Sequence, residues 1–223
     1  MKQKALEIAL EKVPPHPSPK AELEQYRTPA IVAAEILYIA HAHADIEGKR
    51  VIDLGCGTGM LSIGAALLGA KDVIGVDVDE QSVRIAHRIA QEKGLNIDFY
   101  VMDIGELKEP GDTVIMNPPF GCQVPHADVP FLEKALELCP VTYSLHSTES
   151  EDFIRKSAKR LNAKVTFEKR FTYEIRHIFE FHRKDRMDFR ATLFRIQRVP
   201  KAPLVGEPKK KGGAERSHKK IRT

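Results

Sequence analysis

The chain is poor in the residues that staple, metallate or embed a protein. It has three cysteines, Cys56, Cys122 and Cys139, among 223 residues. None belongs to a C-x-x-C pair, so neither a disulfide framework nor a zinc site is expected, and no metal is assigned. Each cysteine reads as a reduced, small, buried or half-buried residue. No apolar run approaches the ~20 residues needed to cross a bilayer. Met1-Lys2-Gln3-Lys4 leads into an amphipathic stretch containing Glu7 and Glu11, which lacks a signal-peptide core. A cytoplasmic protein is the expectation. No internal repeat is visible. What remains is an ordinary globular composition, 42% hydrophobic and 30% charged, on a chain long enough for one domain with appendages.

The net charge of +4 is unevenly spread. Beyond Pro200 lie Lys201, Lys209, Lys210, Lys211, Arg216, Lys219, Lys220 and Arg222, opposed only by Glu207 and Glu215. The remainder of the chain is near neutral. Residues 200–223 also carry Pro203, Gly206, Pro208, Gly212 and Gly213 with few apolar residues, so a tail that is disordered when free is expected. Such an arm suits a phosphate backbone, although a merely solubilising tail has the same composition.

Residues 1–12 read as a short helix, and Pro14, Pro15, Pro17 and Pro19 enforce an extended connector. Thr28 reads as a helix cap with Pro29 at the first helical position, opening a buried helix from Ala30 to Ala44. Strands and helices then alternate: strand 51–54, helix 58–68, strand 73–77, helix 79–93, strands 97–102 and 112–116, helix 129–138, strand 141–146 and helix 149–161. Segments 163–173 and 188–198 read as two closing strands. The pattern predicts an α/β fold, a doubly wound and mostly parallel sheet with an antiparallel closing strand and helices on both faces. The expected division is an N-terminal helix and Pro-rich connector over 1–21, a catalytic domain over 22–199, and the basic tail over 200–223.

Four strand ends carry chemistry. The first runs into Asp53-Leu54-Gly55-Cys56-Gly57-Thr58-Gly59. A dinucleotide turn is G-x-G-x-x-G, whereas here Met60 stands where its third glycine would fall. The carboxylate of Asp53 repels a pyrophosphate and attracts a cation such as an ammonium or sulfonium. S-adenosylmethionine is therefore expected in preference to NAD. Asp77, about 20 residues on, suits ribose hydroxyls. Asp103 with the Ile104 N–H suits the adenine edge. The fourth strand ends in Asn117-Pro118-Pro119-Phe120. The Asn117 side-chain carbonyl and the Pro118 main-chain carbonyl can accept both hydrogens of a planar NH₂ group. The prolines stiffen the backbone, and Phe120 offers a stacking face. Asn117, Pro118, Pro119 and Phe120 are thus the candidate catalytic set. His146 either shapes the pocket or is a hydrogen-bonded structural residue. The polar loop Gly121 to Asp128 could form a lid. Lysines and arginines at 155, 156, 159, 160, 169, 170, 183 and 184 could meet RNA or simply form solvated faces.

These segments resemble the methyltransferase-like-five family, of the archaeal type. The resemblance is carried by Gln25-Tyr26-x-Thr28, Asp53 to Gly59, Leu61 to Ala65, Asp77-x-Asp79, Asn117 to Gly121, Tyr143 to His146 and Phe181 to Lys184. It implies a class I methyltransferase, Rossmann-like in its sheet, that methylates N6 of an adenosine in small-subunit ribosomal RNA. By the same resemblance Gln25 and Thr28 reach the methionine end of the cofactor. Gly55, Gly57, Thr58 and Met60 line its turn, beside Asp53, Asp77, Asp103 and Ile104. A small zinc-binding activator protein is the implied partner, pairing with an edge strand over 97–102. Two other functions compete: N5-methylation of a protein glutamine, whose amide the same acceptors could hold, and a non-catalytic RNA-binding scaffold.

Overall fold

The computed structural model describes residues 1–121, 127–176 and 186–200, the side chains of 174–176, 186 and 187 excepted. The elements are α1 (Gln3–Glu11), α2 (Ala30–Ala42), β1 (Arg50–Leu54), α3 (Met60–Leu67), β2 (Asp72–Asp77), α4 (Glu80–Glu92), β3 (Asp98–Val101), β4 (Thr113–Met116), α5 (Val129–Leu138), β5 (Val141–Ser147), α6 (Glu151–Arg160), β6 (Ala163–Arg176) and β7 (Arg186–Arg198). The seven strands form one sheet in the order β3-β2-β1-β4-β5-β7-β6. The first five are mutually parallel. β7 runs antiparallel to both β5 and β6. The anticipated doubly wound sheet with an antiparallel closing strand is therefore observed. Its switch point lies between β1 and β4, where the chain reverses its order across the sheet and leaves a crevice at the strands' carboxyl ends.

Period-2 alternation sorts the strand residues into two cores. Ile52 and Leu54 of β1, Val114 and Met116 of β4, and Phe194 and Ile196 of β7 pack with Leu132, Leu136 and Ile154 of α5 and α6. Val51, Ile115 and Leu193 face the other way, toward α1 to α4. Helix α1 belongs to this second core: Leu6 and Leu10 are fully buried, packed with α2 and α3. Helix α4 is amphipathic and capped, its Asp79 carboxylate accepting from the Ser82 N–H at 2.9 Å.

Two local expectations are corrected. Pro29, not Thr28, stands at the N-cap of α2, and no side chain caps that helix. The Thr28 hydroxyl is engaged elsewhere, by Asn117. Helix α3 begins at Met60, two residues later than expected, because Gly59 adopts φ +85 and cannot be part of a right-handed turn. The tail from Lys201, Cys122 and the Phe181 to Lys184 segment lie outside the described residues.

Candidate active site

The carboxyl ends of β1, β2 and β4, the segment after β3, and the connector before α2 enclose a cleft of about 640 Å³. Every residue expected from the sequence to bind cofactor or target lines it: Gln25, Thr28, Asp53, Gly55, Gly57, Thr58, Met60, Asp77, Asp103, Ile104 and Asn117 to Phe120. Gly55, Gly57 and Gly59 of the turn after β1 all take positive φ. An added Cβ on Gly59 would sit 2.9 Å from the Ala86 Cβ, so α4 packs directly on the helix start. Gly57, at φ +52, would meet nothing within 4 Å, so the space above it is open to a ligand.

Asp53 is 1% exposed. Its Oδ2 accepts from the Ser62 N–H at 2.9 Å and hydroxyl at 2.6 Å, while Oδ1 is buried with no hydrogen-bond partner among the described residues. Burial pushes its carboxyl up to about 7, against the pull of the Ser62 bonds. A buried carboxylate oxygen with no donor is the vacancy a cationic group would fill. The two Asp77 oxygens accept from the Gly57 and Asp79 N–H groups at 2.8 and 2.9 Å, which orients the carboxylate and leaves second lone pairs for hydroxyl donors. Burial also raises the Asp77 carboxyl from its ordinary value. The Asp103 Oδ1 accepts from the Gly105 N–H at 2.8 Å. Cys56 is kept a neutral thiol, first by burial and then by the nearby Asp53 and Asp77.

The connector from Pro15 to Thr28 forms a strap along the cleft. Asp79 holds it, receiving Lys20 Nζ at 2.7 Å and His16 Nε2 at 3.3 Å. The Gln25 Oε1 accepts from the Lys20 N–H at 2.7 Å, and Arg27 donates to the carbonyls of Glu11 and Val13. Sequence reading overlooked His16, Glu24 and Phe131, all of which line the cleft.

At the end of β4 the Asn117 Nδ2 donates to the Thr28 Oγ1 at 2.9 Å, and Oδ1 is buried without a partner among the described residues. The Phe120 N–H donates to the Glu24 Oε2 at 2.6 Å. The Phe120 ring packs on Phe189 of β7, centroids 4.6 Å apart, and Phe189 in turn meets Tyr173 of β6 at 5.7 Å. His146 is fully buried, bonded to the Ser144 Oγ at 2.6 Å and the Asp128 Oδ2 at 2.9 Å. It does not line the cleft, so its structural reading holds. Arg155, Lys169 and Arg170 are tied to Glu168, Glu35 and Glu151 respectively.

Residues 45–164 match the family described as a methyltransferase domain. A Methanocaldococcus jannaschii protein is 40% identical over 89% of this chain and 95% of its own length. The rRNA N(6)-adenosine-methyltransferase METTL5 of Danio rerio is 38% identical over 88% of this chain and 99% of its own. The chain belongs to the methyltransferase-like-five family. The crystal structure of a Pyrococcus horikoshii protein superposes on this methyltransferase-like-five chain with a TM-score of 0.85, at 43% identity, covering 90% of the chain and 99% of its own. The cofactor of the domain is S-adenosylmethionine. The residues present fit it: a buried acid with one oxygen unpartnered among the described residues, beside an open glycine turn, and acids at the two following strand ends.

Proposed function

We propose that this protein methylates N6 of an adenosine in small-subunit ribosomal RNA, using S-adenosylmethionine. The carrying observation is the Asn117 Oδ1, a buried acceptor without a partner among the described residues, in the same cleft as Asp53. A neutral amide oxygen left unpaired in an apolar setting is costly unless a donor arrives. The amino group of adenine brings two hydrogens, one for Asn117 and one for the Pro118 carbonyl. Accepting both turns the nitrogen lone pair out of conjugation with the ring. Phe120, backed by Phe189, gives the flat base a face to lie on, and the base enters unstacked from its strand. When bound, the cofactor supplies an electrophilic methyl group on a positively charged sulfur. Asp53 holds the cationic end, Asp77 the ribose, and Asp103 with Ile104 the adenine edge. Gln25 and Thr28 close over the methionine end. The protein thus contributes alignment and electrostatics. No strong base is needed, because the methylated nitrogen sheds its proton readily.

The small-subunit assignment is supported by the family resemblance. So is a zinc-binding activator at β3, where Tyr100 and Val101 are exposed at the sheet edge. The basic residues beyond Pro200 suit the RNA backbone. The test is transfer of labelled methyl from S-adenosylmethionine to purified small subunits, followed by nuclease and nucleoside analysis. Label is expected in N6-methyladenosine and lost in Asn117→Ala. Label that survives nuclease on protein would instead assign glutamine methylation. Unchanged function in Asn117→Ala would assign a scaffold.

A further inference from the structure

We propose that Thr28 and Glu24 are positioning residues for the target amino group, gripping the Asn117–Phe120 motif from its two ends. The inference rests on the methyl-transfer reading above. An asparagine amide has one accepting end and one donating end. Only one of its two orientations can receive an amino group, and the choice falls to its neighbours. Here the Thr28 hydroxyl takes the Nδ2 end, which commits the buried Oδ1 to the incoming donor. At the far end, Pro118 and Pro119 have no N–H, so the Phe120 N–H is the first main-chain donor after Asn117. Glu24 receives it at 2.6 Å. Glu24 is buried and sits in the left-handed region, φ 48 and ψ 43, a strained setting for a non-glycine residue.

These two bonds are not what holds the strap. His16, Lys20 and Arg27 anchor it to Asp79 and to the carbonyls of Glu11 and Val13. Removing the grips should therefore spare the fold while loosening the acceptors. Both grips come from the segment that walls the cofactor cleft, so the target site is set up by the same strap.

The test uses the full chain, with its activator where required. Thr28→Val keeps the side-chain shape and removes the acceptor; Thr28→Ser restores it. Glu24→Ala removes the second acceptor and Glu24→Gln restores it. Thr28→Val and Glu24→Ala are expected to lower kcat about tenfold to a hundredfold, with KM for RNA unchanged. Thr28→Ser and Glu24→Gln should recover most of the rate. The chain has three asparagines, Asn96, Asn117 and Asn162, so selective ¹⁵N labelling resolves the Asn117 side-chain amide. Its signal should move in Thr28→Val and return in Thr28→Ser. Wild-type kcat in Thr28→Val and Glu24→Ala, or an unmoved Asn117 signal, overturns the inference. If Thr28→Val does not fold, the Glu24 pair decides through the rate. A wild-type protein that methylates no RNA overturns the functional reading instead, and the amide signal still reports on the grip.

Discussion

Asp53 is the residue on which cofactor capture turns in the proposed function. Its folded value of about 7 stands above the ordinary 3.8 because it is buried. The sign follows: the ligand-free fold is favoured with Asp53 protonated, and that contribution is lost as pH rises from about 4 through 7. A cationic ligand needs the carboxylate, so protons compete with it. Calorimetric affinity for S-adenosylmethionine should fall by up to about tenfold for each pH unit below 7. Asp53→Asn should bind more weakly and flatten this dependence. A wild-type affinity unchanged between about pH 6 and 8 would refute the assignment, those pH values being about 1 unit either side of the transition. Asp53 was legible in the sequence because its meaning is local: an acid at a strand end, next to glycines. Glu24 was not. Its partner lies 96 residues away, and its backbone conformation is one that no propensity assigns to glutamate. Thr28 was misread as a cap for the same reason, since the competing bond comes from 89 residues downstream.

At the scale of elements, the glycine turn separates two roles that share one spelling. Gly59 supports packing: alanine there adds left-handed strain and presses on Ala86. Urea unfolding should show Gly59→Ala destabilised by about 2–4 kcal/mol. Gly57 faces open space, so Gly57→Ala should cost only ~1 kcal/mol of stability and yet lose most of its cofactor heat. Equal stability losses in the two variants would argue against this division. Alternation and strand-end turns made the elements readable, and the observed bounds differ by one or two residues at most helix and strand ends. The strap was opaque because its structure is irregular, with ion pairs and backbone carbonyls in place of a periodic face.

At the scale of the molecule, the edge strands of the sheet among the described residues are β3 and β6. β3 is only four residues long, and Tyr100 and Val101 remain 41% and 50% exposed. If the proposed zinc-binding activator pairs with β3, amide exchange over Asp98–Val101 is expected to slow when it is added, and Tyr100→Glu to weaken copurification without changing cofactor heat. Exchange that stays fast in the complex would move the partner elsewhere. The strand order has a consequence for biosynthesis. β7 is the last strand to be translated, yet it lies inside the sheet, between β5 and β6. A nascent chain that stalls before Arg186 exposes the bare flank of β5 and leaves β6 with nothing to pair with. The ribosome must therefore release β7 before the sheet can close, and until then quality-control chaperones have an unpaired backbone to grip.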